Sequence, residues 1–272
     1  MQIIDRGNGV PLVLIPGIQG RWEYMRPAVE ALSRWFRVIT CSLCGERGSD
    51  CEFVPDRGAE NFVDQIDRVL RDRQVDRAVI AGVSFGGSIA LHYAARRPNR
   101  TAALVLVSTP GPRFKPTKRH ELFMRAPYLL GPILLAEIPI RVAQEIRHTY
   151  SDRRAGLQFA WEQVKAIVEA PLSLKRMAAR ARLIAEGTAR DAGLVSAPTL
   201  LVTGERGLDY VVPVEGALEY AELIRDVRWV TIERGGHLAY ITRPDTFAAI
   251  VKDFVDQSVS RRSSGEGDPH AA

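Results

Sequence analysis

A hydroxyl nucleophile is built from a serine, a base and a carboxylate, and one serine of this chain has a setting that suits the part. Ser84 stands in Gly82-Val83-Ser84-Phe85-Gly86, between the apolar run 77-RAVIAGV-83 and the helix-forming run 86-GGSIALHYAARR-97. A G-x-S-x-G turn that closes a strand and opens a helix reads as a nucleophile elbow. The turn forces the serine backbone toward positive φ, while Gly82 and Gly86 leave room for neighbouring chain. The helix N-terminus behind the serine favours developing negative charge. A glycine-rich strand–helix turn can also cradle phosphate, but the G-x-G-x-x-G spacing and the P-loop lysine are missing here.

A serine hydroxyl attacks only when a base takes its proton. The chain has five histidines. His92 falls within the helix after Ser84 and reads as a helix-face residue. His120 and His148 lie in a proline-rich middle region, and His270 sits near the end. His237, in 233-ERGGHLAY-240, follows the last apolar run on a Gly-Gly loop, which is where a general base would stand. An imidazole needs a carboxylate to fix its tautomer and stabilise its charged form. The segment 203-TGERGLDYVVP-213 offers Glu205 and Asp209. Asp209, further into the loop, is better placed to reach across, and Glu205 is the alternative.

These groups must be held by a scaffold, and the hydropathy pattern indicates which. Strand-length apolar runs at 11–16, 36–41, 77–83, 102–108, 198–204 and 228–233 alternate with helical segments at about 23–34, 58–73, 86–97, 214–225 and 243–257. The runs are rich in Val, Ile and Leu on both faces, as strands covered from two sides must be. The fold class is therefore α/β, a doubly wound, mostly parallel sheet. The alternation breaks between Pro110 and Asp191, where prolines 112, 116, 127, 132, 139 and 171 separate helical stretches. An inserted helical cap over 111–190 is expected, with the core formed by 1–110 and 191–258. The polar end, 259–272, is expected to be a disordered tail.

The chain order Ser84, Asp209, His237 on such a sheet resembles the α/β-hydrolase family. Asp209-Tyr210-Val211-Val212-Pro213 matches that family's D-x-x-x-P acid loop, and Arg243-Pro244 leads into a final helix as it does there. The resemblance covers most of 1–110 and 191–257. It implies an oxyanion hole of two backbone N–H groups. Phe85, directly after the nucleophile, supplies one by position; in 15-IPGIQGRWEYM-25 Ile18 aligns with the other. Trp22 is a candidate for the pocket mouth and equally for ordinary packing. Two departures stand out: Pro16 replaces the usual histidine, and 42-SLCGERGS-49 lacks the family's D-x-R-G-x-G-x-S acid and arginine at Ser42 and Cys44.

Family members that attack saturated carbon use an aspartate where this chain has Ser84, so an acyl carbonyl is the expected electrophile. The resemblance implies hydrolysis of a small-molecule carboxylic ester through an acyl-enzyme. Relatives leave three alternatives open: carbon–carbon bond hydrolysis of vinylogous keto acids, cofactor-free perhydrolase or haloperoxidase chemistry, and a low-turnover ligand receptor. Apolar side chains between Leu122 and Trp161, among them Phe123, Leu129, Ile133, Leu134 and Phe159, are candidates for pocket walls or for packing the cap.

Totals bound the remaining possibilities. The 272 residues, 46% apolar, bury a sizeable core. No apolar stretch of about twenty residues could span a membrane. Net charge is +5, yet residues 110–190 hold 15 Lys and Arg against 7 Asp and Glu, which suits solvated helix faces or attraction of an anionic substrate or surface. No nucleic-acid-binding pattern, cofactor motif or metal site is read. Three cysteines argue against a disulfide framework and for a reducing, cytoplasmic compartment, with Cys41, Cys44 and Cys51 as packing thiols.

Overall fold

Six parallel strands and one antiparallel edge strand form a single sheet in the computed structural model, which describes residues 1–263 except the side chains at 134, 135, 189 and 259–263. The strands are β1 (Ile3–Arg6), β2 (Val10–Ile15), β3 (Phe36–Cys41), β4 (Ala78–Val83), β5 (Thr101–Val107), β6 (Thr199–Gly204) and β7 (Val227–Ile232). Their spatial order is β1-β3-β2-β4-β5-β6-β7. The six predicted strands are present within one residue at each end. β1 is the strand the pattern did not show. It is four residues long, half exposed, and pairs antiparallel with β3 through Ile3–Cys41 to Arg6–Val38, too short for its alternation to register.

The order runs outward in both directions from β2 and β4, so the loops leaving those strands part to opposite faces. In an open parallel sheet that divergence opens a crevice at the carboxyl edge. β4 is buried at all six positions, and each fully buried Val or Ile contributes about 1.5–3 kcal/mol relative to exposure.

Helices α1 (Arg26–Leu32), α2 (Glu60–Asp72) and α3 (Phe85–Arg96) cover the first half of the sheet. Between β5 and β6 come only helices: α4 (Lys118–Arg125), α5 (Pro127–Thr149), α6 (Arg153–Glu169), α7 (Leu174–Ala185) and α8 (Ala189–Ala192). The chain finishes with α9 (Val214–Leu218), α10 (Tyr220–Leu223), α11 (Ala239–Thr242) and α12 (Pro244–Ser263). Two apolar clusters sandwich the sheet. α1, α11 and α12 pack on one face, and α2, α3 and α10 on the other. No helix among the described residues is long and apolar enough to cross a membrane.

Three expectations need correction. Pro132 and Pro139 lie inside the 23-residue α5 rather than between helices. Each costs about 3 kcal/mol in a helix interior, offset here by packing of Val142, Ile146 and Gly131 against core and α7. Residues 259–263, expected in the tail, continue α12; 264–272 fall outside the described residues. Cys44 and Cys51 form a disulfide, leaving Cys41 alone as a thiol. An odd cysteine count excludes a fully paired framework but not one bond. Burial pushes the Cys41 thiol up to about 12, which keeps it unreactive.

Candidate active site

Ser84 sits between β4 and α3 with φ 52° and ψ −120°, a backbone region that costs a non-glycine residue about 1–3 kcal/mol. The strain is held by hydrogen bonds on both sides. The Ser84 N–H donates to the Val107 carbonyl at 2.8 Å, and the Gly87 N–H donates to the Ser84 carbonyl at 2.8 Å. The flanking glycines are sterically required. A Cβ on Gly82 would strike the Gly86 carbonyl, and one on Gly86 would come within 2.6 Å of the Pro16 carbonyl.

That close approach brings the loop after β2 against the elbow. A Cβ placed on Gly17 would stand 3.7 Å from the Ser84 Cβ. The next residue, Ile18, has an N–H with no acceptor among the described residues. Its carbonyl is turned away and accepts from Arg180 Nη1 at 3.0 Å. Phe85 opens α3, so its N–H is one of the amides that have no intrahelical acceptor. Two unspent donors thus flank the serine. Trp22 is buried in the core cluster beneath the Arg26 guanidinium.

The histidine and its carboxylate meet across the ends of β6 and β7. His237 Nδ1 lies 3.1 Å from Asp209 Oδ2, and both side chains are largely buried. Asp209 Oδ1 accepts from the N–H groups of Val211 at 3.0 Å and Val212 at 2.8 Å. Burial alone would raise the Asp209 pKa; the neighbouring His237 and these main-chain donors overcome it and hold the carboxyl below its ordinary value. Glu205, the alternative acid, is exposed and accepts from the Arg234 N–H at 2.8 Å instead. Among the described residues no hydrogen bond joins the Ser84 hydroxyl to His237.

The other histidines are occupied elsewhere. His92 bridges Asp191 and Glu60 beside Arg96, and His120 Nδ1 closes the cap of α4 with Thr117. His148 is exposed, and His270 lies outside the described residues.

Three residues between β5 and β6 reach the candidate site and were not signalled by the sequence. Glu145 of α5 is buried and accepts from the Gly236 N–H at 2.7 Å, directly before His237. Burial raises its pKa against the opposing pull of the Gly236 and Leu238 N–H groups and His237. On the same helix face Arg141 donates to the Tyr210 carbonyl at 3.2 Å. α5 is thereby stapled to both loops. In sequence, Arg141 and Glu145 look like an ordinary surface pair four residues apart. From α7, the buried Arg180 pairs with the buried Glu46 at 2.8 Å and donates to the Cys44 carbonyl at 3.3 Å. Glu46 fills the loop that lacks the expected aspartate–arginine pairing.

Of the candidates for pocket walls or cap packing, Leu129, Ile133 and Trp161 are exposed, whereas Phe123 and Phe159 are buried. The Leu134 side chain lies outside the described residues.

Residues 10–244 match the family profile described as alpha/beta hydrolase fold. The chain is 28% identical over 257 residues to a 2-hydroxy-6-oxo-2,4-heptadienoate hydrolase of Pseudomonas putida, covering 92% of this chain and 91% of that one. It is 26% identical over 261 residues to a pimeloyl-[acyl-carrier protein] methyl ester esterase of Aliivibrio fischeri, covering 92% and 95%. Among solved structures, the enol-lactonase from Burkholderia xenovorans superposes with a TM-score of 0.75 at 20% identity, over 94% of this chain and 96% of that one.

Proposed function

The chain belongs to the alpha/beta hydrolase fold family and is an enzyme, and from that premise we propose that it hydrolyses a small-molecule carboxylic ester with Ser84 as nucleophile, His237 as base and Asp209 as the orienting acid. The observation that carries this reading is the Asp209–His237 hydrogen bond. Asp209 accepts the Nδ1 proton, which leaves Nε2 free to take the Ser84 proton as the hydroxyl attacks the acyl carbon. The tetrahedral oxyanion is received by the Ile18 and Phe85 N–H groups, each worth on the order of a hundredfold in rate. His237 returns the proton to the leaving alkoxide, then activates the water that cleaves the acyl-enzyme. The helices between β5 and β6 cap this site, and the reaction needs no cofactor. The compartment expected from the sequence is the cytoplasm, a reading that the Cys44–Cys51 disulfide counts against.

A second reading, carbon–carbon bond hydrolysis of a vinylogous keto acid, is favoured by the Pseudomonas relative's activity and by the cationic insert. Both readings use the same three residues and differ in the bond broken. Turnover of p-nitrophenyl esters, absorbance decay of a vinylogous keto acid, and fluorophosphonate labelling test them together. Covalent label on Ser84 with ester turnover supports the first reading, and turnover confined to the keto acid supports the second. Ester release and keto-acid decay that are both equally slow in wild type and Ser84→Ala would refute both, and would leave a ligand-binding protein.

A further inference from the structure

A surface helix buries one face and shows water the other. Two helices of the insert are apolar on both. In α6, Gly156, Phe159 and Ala166 are buried toward the core. At 3.6 residues per turn, Leu157, Trp161, Val164 and Val168 fall on the opposite side, in steps of four, three and four, and they are 48–77% exposed. α5 repeats the arrangement. Glu145 and Thr149 are buried and Val142 and Ile146 pack on the core. Leu129, Ile133, Ala136 and Ile140 form the outward stripe in the same steps and are exposed, with Tyr128 beside them. The two helices are joined by a turn of three residues and touch beside it, where Gly156 meets Ile146, so the stripes belong to consecutive helices of one hairpin.

On the hairpin Glu137, Glu162 and Glu169 are each paired with a basic side chain, and the guanidinium groups left over lie at its turn. Arg147 ends the α5 stripe, and Arg153 and Arg154 open α6 on either side of the other. All three are exposed, and their guanidinium groups have no carboxylate partner among the described residues. Asp152 in the turn is spent on the Arg154 N–H. The insert as a whole carries 15 Lys and Arg against 7 Asp and Glu over 110–190.

We infer that the outer face of the α5–α6 hairpin docks on an anionic lipid bilayer, with Leu129, Ile133, Leu157 and Trp161 seated in the headgroup–acyl boundary and Arg147, Arg153 and Arg154 on lipid phosphates. A bilayer supplies an apolar medium to the stripes and negative charge to the arginines at once. Trp161 and Tyr128 are the aromatic types that settle at that depth. A second copy of the chain would answer the apolar stripes but would set one cationic insert against another. The helices lie on the surface, since neither is apolar enough to cross it. The inference is independent of the ester reading, because it uses none of Ser84, Asp209 and His237.

Vesicle flotation of the full chain tests it. Vesicles containing phosphatidylglycerol are expected to carry the protein at low salt, and pure phosphatidylcholine vesicles to carry far less. Replacing Arg147, Arg153 and Arg154 together by Gln lowers partitioning about a hundredfold, from roughly a tenfold effect or less per cation near the surface. Leu157→Gln with Trp161→Gln abolishes flotation while soluble-ester turnover and the melting temperature stay at wild-type values. Two results overturn the inference: no flotation with phosphatidylglycerol at low salt, or a solution dimer that the Leu157→Gln, Trp161→Gln variant dissociates.

Discussion

Asp209→Asn gives the sharpest test of the site, because the surroundings of Asp209 dictate which way an amide must face. Oδ1 is held by two N–H donors, from Val211 and Val212. Only an oxygen satisfies both, so the Asn carbonyl takes that position and its NH2 points at His237 Nδ1. A donor then meets the atom that should carry a proton. Nδ1 becomes the acceptor, Nε2 takes the hydrogen, and the face turned to Ser84 is no longer a base. The charge is also lost. Unit charges about 3 Å apart at an effective dielectric of ~20 attract by about 5 kcal/mol, and both side chains are buried enough for that figure to apply. At 1.36 kcal/mol per factor of ten this is on the order of 10⁴ in rate, the size seen when a triad aspartate becomes asparagine. The assay is kcat/KM on a p-nitrophenyl ester beside a urea melt. A folded Asp209→Asn enzyme keeping more than about a tenth of wild-type activity would refute the reasoning.

Ser84→Gly should be as inactive as Ser84→Ala yet more stable than it by about 1 kcal/mol, because glycine relieves the positive φ; equal urea midpoints would count against stored strain at the elbow. Glu145 is pushed up by burial, so the folded state holds its proton to higher pH than the unfolded chain. Stability is therefore lost as pH rises from the ordinary carboxylate range through the raised value. Urea midpoints from about pH 4 to about pH 7 should show that loss in wild type and a flatter profile in Glu145→Gln; parallel profiles would exclude it. Asp209, held low, adds the opposite dependence at more acid pH: its contribution is present above the ordinary carboxylate range and vanishes as pH falls through the depressed value. Reducing Cys44–Cys51, or making Cys51→Ser, should cost about 2–3 kcal/mol from the loop the bond closes, read from melts with and without dithiothreitol.

The parallel strands were legible because each is a short run dominated by apolar residues, and the elbow because a lone serine among glycines at a strand–helix junction has few other uses. Asp209 and His237 could be placed because both follow strands that end at one edge. Their mutual contact could not, since it depends on loop paths that periodicity does not encode. Pro132 and Pro139 misled because local propensity yields to packing when a helix is long and pinned along one face. Glu145 was invisible for a related reason. Spacing tells that a residue lies on a helix face, but not whether that face meets water or a loop from elsewhere. Leu129, Ile133 and Trp161 show the converse: apolar type alone does not say which side of a two-faced helix is covered.

The Arg180–Glu46 pair limits how this enzyme can be rebuilt. Both groups are out of water, and removing one partner of such a pair costs about 3–5 kcal/mol. Transplanting a foreign insert that lacks an arginine at this point would strand Glu46 and release the strand-end segment carrying Ile18. Swaps confined to α4 and α6 leave that anchor whole. Divergence in substrate range is thus freest in α4 and α6, while α5 is tied to the loops of Asp209 and His237 and α7 is bound to change as a unit with the segment containing Glu46.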